Sequence, residues 1–177
     1  MIIRRERPDE AGAVDRLHDE AFSGLAGRPV GPTLESQILR GLRADPGAWV
    51  PRLSLVLVDG DELLGHVVAS RGRLQGSVPV LGLGPVAIRP SAQRRGLGTT
   101  LVHAVVAAAD ALDEAMVVLL GNPDFYSRIG FVLGEGLGVT PPDPQWAPHF
   151  QVRTLAGYDA MVHRGAFTYA PAFDLAD

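Results

Sequence analysis

The chain contains no cysteine and no lysine: all 16 of its basic residues are arginine. The first absence excludes disulfides, thiolate metal sites and a cysteine nucleophile. The second excludes a Walker phosphate loop, a Schiff-base lysine and a lysine general base, each of which needs a primary amine at a fixed place. No apolar run approaches the roughly 18 residues that a membrane helix requires. The opening MIIRRERPDE also lacks an apolar segment suited to a signal peptide, so the expected location is the cytoplasm, with no membrane partner. A formal net charge of −4 gives no electrostatic basis for non-specific nucleic-acid binding.

At 177 residues the chain is long enough for a substantial core, and one domain over 1–177 is the expectation. Its organising stretch is 81–101, LGLGPVAIRPSAQRRGLGTTL. An apolar strand pattern ends at Arg89-Pro90, a basic glycine turn follows at Gln93-Arg94-Arg95-Gly96-Leu97-Gly98, and a helix rich in alanine and valine begins there. The first turn of a helix leaves backbone N–H groups without intrahelical partners, at the positive end of the helix dipole. Gly96 and Gly98 let a phosphate approach those groups, and Arg94 and Arg95 add forked donors. The plain alternative is an ordinary strand-to-helix loop carrying two solvated arginines.

Along the chain, a first strand at 2–6 precedes a helix over 8–22 with Val14, Leu17 and Ala21 in register and His18 flanking the stripe as a surface residue. After a glycine-containing loop at 23–31, Pro32-Thr33 opens a second helix ending near 45–47. Strands at 53–58 and 63–71 flank Asp59-Gly60-Asp61-Glu62, a hairpin signal. A strand at 80–88, a helix at 96–112 with His103 facing solvent, and an apolar strand at 115–120 predict a parallel crossover. Asn122-Pro123 starts a short helix that Gly130 closes, with Phe125 turned into the core, and a strand follows at 131–133. The segment 134–149 reads as a long loop whose Trp146 and His149, with Phe150, wall a pocket; closing strands lie at 151–155 and 166–169. The sum is an α+β fold: one mixed sheet of about six to seven strands, flanked by helices.

Three phosphate-binding readings compete for the glycine turn. Gly82-Leu83-Gly84-Pro85-Val86-Ala87 satisfies a dinucleotide pattern formally, but it continues into a strand instead of opening a helix. The Walker pattern fails for want of lysine. In the third reading, Val86-Ala87-Ile88-Arg89-Pro90 followed by Gln93 to Gly98 resembles motif A of the GNAT superfamily of acyl-CoA-dependent N-acyltransferases. Tyr126-Ser127-Arg128-Ile129-Gly130-Phe131 resembles that family's later Y-x-x-x-G-F signature. The likeness extends over most of the chain, and its closest form is a subgroup of bacterial predicted acetyltransferases.

The resemblance implies acetyl-CoA as co-substrate and no metal. It implies that the amides of Arg94, Arg95, Gly96, Leu97, Gly98 and Thr99 hold the pyrophosphate, and that Val86, Ala87 and Ile88 pair with the pantetheine arm like an added strand. That role requires the strands near 86 and 117 to splay apart, with a bulge near Pro85. Tyr126 is implied as the proton donor to the departing thiolate, and Asn122 as a CoA contact. Asn122 stands only four residues before Tyr126, with Pro123 between, closer than in many family members. A further departure is that 81–88 carries no acidic residue, whereas family members often place a base on this strand. Glu35, His66, His149, His163 and a water are the candidates for the base. The expected reaction is direct attack by a primary amine, of a small molecule or a protein N-terminus, on acetyl-CoA in a ternary complex; a homodimer stays open. The alternative is a non-catalytic acyl-CoA sensor or partner-binding module on the same fold.

Overall fold

The strand patterns pair into one mixed sheet in the computed structural model, which describes residues 1–23 and 32–176. The strands are β1 (Ile2–Arg5), β2 (Ser54–Asp59), β3 (Glu62–Leu74), β4 (Val78–Ile88), β5 (Met116–Leu120), β6 (Val132–Leu133), β7 (Val139–Thr140), β8 (Phe150–Thr154) and β9 (Gly165–Thr168). The helices are α1 (Ala11–Phe22), α2 (Leu34–Ala44), α3 (Leu97–Asp110) and α4 (Pro123–Tyr126). The sheet runs β1-β2-β3-β4-β5-β8-β6, with β9 pairing β3 and β7 pairing β9. β4 and β5 are parallel, as the crossover through α3 requires.

Local chemistry explains the boundaries. Asp59 pairs with Glu62, so the hairpin turn is the two residues Gly60-Asp61, with Gly60 at φ 57°. Thr33 caps α2 by accepting from the Ser36 amide, and its own N–H and hydroxyl donate to Asp19 Oδ1 at 2.7 and 3.0 Å, fastening α2 to α1. In α3, Leu97, Leu101, Val102, Val105, Val106 and Ala109 form the buried stripe and His103 is exposed, as its position in the helix predicts.

Strand alternation divides the sheet into two faces. Val67 and Ala69 of β3 and Leu81 and Leu83 of β4 pack with the α3 stripe. Val56 and Val68 point the other way, against Val14 of α1 and Ile38, Leu39 and Leu42 of α2. A third cluster joins β5, β8 and β9 through Met116, Val118, Phe150 and Phe167.

Two expectations change here. The segment 134–149 is not wholly loop, because Val139 and Thr140 pair in parallel with Gly165 and Ala166. His18 is not on the surface: α1 lies flat on the sheet and its buried stripe spans Val14, Asp15, Leu17 and His18, wider than the i, i+3 pattern alone. A polar residue can occupy such a stripe when hydrogen bonds meet it there, and His18 has one.

Candidate active site

The site is built where β4 leaves β5. Only Leu81↔Val117 and Gly82↔Val118 are paired; beyond them β4 continues to Ile88 with no β5 partner, while β5 pairs β8 along its full length on its other edge. The register between β3 and β4 shifts at the same place: Ala69 opposes Leu83 but Val67 opposes Val86, so β4 carries one extra residue. This is the expected bulge, and it contains Gly84 at φ 133° and Pro85, joined by a cis peptide bond. Only glycine adopts that φ readily. The result is a V-shaped gap whose β4 wall, at Val86, Ala87 and Ile88, pairs with β3 along one edge and, among the described residues, has no strand along the edge that faces β5. At the closed end, Arg71 of β3 reaches past β4 to Glu114 ahead of β5 with two bonds of 2.5 and 2.6 Å, fixing the hinge of the V.

The open end meets the glycine turn. Gln93 Nε2 donates to the Ile88 carbonyl at 3.0 Å, tying the turn to the strand end, a positioning role that the motif alone did not reveal. Arg94 and Gly96 take the left-handed conformation at φ 62° and 77°, so successive N–H groups converge in a nest that continues into the first turn of α3. The first intrahelical bond is Thr100 N–H to the Gly96 carbonyl at 3.1 Å, which leaves the amides of Gly96, Leu97, Gly98 and Thr99 free of helical partners. Arg94, Arg95 and Gly96 are exposed, Leu97 is buried in the core, and Gly98 and Thr99 are half-buried. A Cβ added at Gly98 meets only Ile88 at 3.9 Å and Phe125 at 4.0 Å, so the glycine keeps the mouth of this cradle open instead of avoiding a clash inside the protein.

Phe125 is therefore not core. It is 38% exposed and stands beside the start of α3, because the four residues of α4 place consecutive side chains on different sides. Tyr126 turns inward, half-buried against Phe131 and the α3-facing core, with ring centroids 4.8 Å from Phe125 and 5.7 Å from Phe131. Burial raises the Tyr126 phenol above its ordinary value near 10, so it stays protonated. Its ring lies across Gly121, where an added Cβ would come within 2.4 Å of it. Asn122 caps α4: its Oδ1 accepts from the Asp124 amide at 2.9 Å.

Of the candidate bases, His149 is exposed, His163 bonds within its own turn to Asp159, and Glu35 lies in the first turn of α2. Of the proposed pocket wall, Trp146 lines a cavity of about 300 Å³ with Pro142, Tyr169 and Phe173; Phe150 is core and His149 is not part of that lining. Of the named bases, His66 sits in a buried polar network. It joins Glu6, Ser54 and His18, three residues for which the motif gave no signal because they come from β1's end, β2 and α1.

The model of the Acetyltransferase (GNAT) family matches residues 14–131, two thirds of the chain and all of the cradle, the V and Tyr126. The chain belongs to the GNAT acetyltransferase family. It is 30% identical over 158 residues to the uncharacterized N-acetyltransferase YhbS of Escherichia coli K12, covering 88% of each chain. The crystal structure of YhbS from Escherichia coli in complex with CoA superposes with a TM-score of 0.83 at 29% identity, covering 98% of this chain and 91% of that one. A GNAT family acetyltransferase from Brucella melitensis in complex with acetyl-CoA gives a TM-score of 0.78 at 29% identity, over 98% and 97%. This GNAT chain has the sheet architecture that its motifs implied.

Proposed function

We propose that this GNAT chain transfers acetyl from acetyl-CoA to a primary amine by direct attack within a ternary complex. The observation that carries the reading is the V between β4 and β5, opening directly onto the free amides at the start of α3. A thioester arm laid in the V adds a strand to β4 at Val86, Ala87 and Ile88, and the pyrophosphate lies on the amides of Arg94 to Thr99 with Asn122 nearby. That similar proteins crystallise with CoA and acetyl-CoA supports acetyl-CoA as the donor. Holding amine and thioester together supplies the largest share of the acceleration. A backbone N–H of β4 faces the developing oxyanion, and Tyr126 donates its proton to the sulfur as the C–S bond breaks. The acceptor is a small-molecule or N-terminal amine, handled by one domain in the cytoplasm.

The test is acetyl transfer by the purified chain to a panel of polyamines, amino acids, aminoglycosides and peptide N-termini, read as free thiol released per acetylated product. One-to-one formation with at least one amine is the expected result. Tight acetyl-CoA binding with no product across the panel would instead support a non-catalytic acyl-CoA sensor.

A further inference from the structure

Hydrogen-bond valence assigns a direction to the buried network on the α1 face of the sheet. The Glu6 carboxylate accepts only, so Ser54 Oγ, which lies within hydrogen-bond distance of Glu6 Oε2, donates to it. The His66 Nε2 lies 2.9 Å from Ser54 Oγ and 3.4 Å from Glu6 Oε2; with the serine proton committed and a carboxylate facing it, this nitrogen carries the hydrogen. His66 Nδ1 is then the unprotonated side of a neutral ring. His18 Nε2, 2.9 Å away, must donate to it. His18 Nδ1 is left as a bare lone pair, buried and without a partner among the described residues. Every proton points toward Glu6 and the chain ends in an acceptor.

We infer that His18 is the general base of acetyl transfer, with His66, Ser54 and Glu6 as the positioning residues that fix its tautomer and support its charge. This rests on the acetyltransferase reading. The location fits: His66 is the ladder partner of Ala87, in the β4 segment that walls the V, and α1 packs over β3 and β4. It also answers the lack of an acidic residue on β4. In the step, the amine nitrogen bonds to the thioester carbon and the C–S bond breaks. Tyr126 protonates the sulfur, and the surplus N–H proton passes to His18 Nδ1, directly or through one water.

Burial holds both imidazoles below their ordinary values; the neighbouring His66 and Arg43 lower His18 further, whereas the Glu6 hydrogen bond and charge only partly offset the burial of His66, so both rings are neutral near pH 7. The charged groups around the pair are Glu6 after β1, Asp15 on α1 and Arg43 on α2, with Arg40 holding Asp15 from outside; β4 presents only Ala87. Burial alone would raise the Glu6 carboxyl, but the hydrogen bonds from His66 and Ser54, with Arg43 at 2.8 Å, keep it ionised.

Two measurements decide the inference. His18→Gln keeps a donor in the place of Nε2 and removes the base. Expected are acetyl-CoA affinity within about twofold of the parent and a fall of kcat/KM of about 100-fold or more, with loss of the acidic limb of the pH profile. Glu6→Gln moves that limb to lower pH, because the carboxylate that favours the protonated pair is gone. Unchanged kcat/KM and pH profile in a folded His18→Gln that binds acetyl-CoA would overturn the assignment. The second measurement is the imidazole ¹⁵N spectrum of the unaltered protein, which does not depend on a variant folding. Both histidines are expected as the tautomer protonated on Nε2, and His18 protonated on Nδ1 would overturn the directed chain. A parent that acetylates no amine at all would count against the acetyltransferase reading, whereas an active parent with an equally active His18→Gln would count against His18 alone.

Discussion

The Tyr126 ring is held in place by packing, pinned between Gly121, Phe125 and Phe131. Tyr126→Phe keeps that packing and removes only the proton, so kcat is expected to fall by about 100-fold while acetyl-CoA affinity, read by calorimetry, stays within about twofold. Equal losses in both would assign the ring a binding role. Because the phenol's pKa is raised, Tyr126 itself should cause no alkaline loss of activity below pH 10. Glu10 behaves oppositely. Its carboxylate takes two bonds from Arg4 at 2.8 and 2.6 Å and one from the Arg7 amide, which lowers its pKa to about 2. A lowered carboxyl contributes stability that is fully present above its unfolded value near 4.5 and is lost as pH falls toward 2. Glu10→Gln is therefore expected to lower stability by about 0.5–1 kcal/mol at pH 7. In thermal melts the gap to the parent should close as pH drops through that window.

At the scale of elements, the junction of β4 with α3 concentrates the chemistry because a strand that loses its neighbour ends where a helix begins. The two glycines of that junction differ. Gly96 has φ 77°, so a side chain there strains the backbone wherever space exists. Gly98 has helical geometry and room for a Cβ. Gly98→Val is thus the informative variant: it should fold, with melting within a few degrees of the parent, and lose acetyl-CoA binding by about 100-fold or more through blockage of the cradle mouth. Unchanged affinity in the folded variant would remove the pyrophosphate from this turn. Gly96→Val should lose stability as well, and so tests the cradle less cleanly.

For the whole molecule, the two sheet faces carry different parts of the proposed site. The α3 face carries the glycine turn and Tyr126, and the α1–α2 face carries the Glu6–Ser54–His66–His18 chain, with β4 bordering the gap to β5. Ligand held across that gap should tie the halves together. At 100 times its dissociation constant, acetyl-CoA is expected to add about 2.7 kcal/mol. For a protein of this size that is a rise in Tm of roughly 5–11 °C, measured by calorimetry, and no rise is expected for Gly98→Val.

What the sequence determined by itself was whatever short-range chemistry dictates. The β2–β3 hairpin follows from Asp59-Gly60-Asp61-Glu62, the capped start of α2 from Thr33, the buried stripe of α3 from its spacing, and the cradle from Gln93 to Gly98 beside the Tyr126 motif. Each signal lies within a few residues, where turn, cap and helix geometry are local properties. The tertiary structure decided what depends on contacts between distant residues. It placed His18 in the core by laying α1 flat on β3 and β4, turned Phe125 outward toward α3, and paired β7 with β9 inside a segment that reads as loop. It also brought Glu6, His18, Ser54 and His66 within hydrogen-bond reach of one another, although they are up to 60 positions apart. No spacing rule encodes such a meeting, because it is set by which strands pair and in which register. The proposed proton donor was therefore legible in a motif, while the proposed base emerged only once the sheet had assembled.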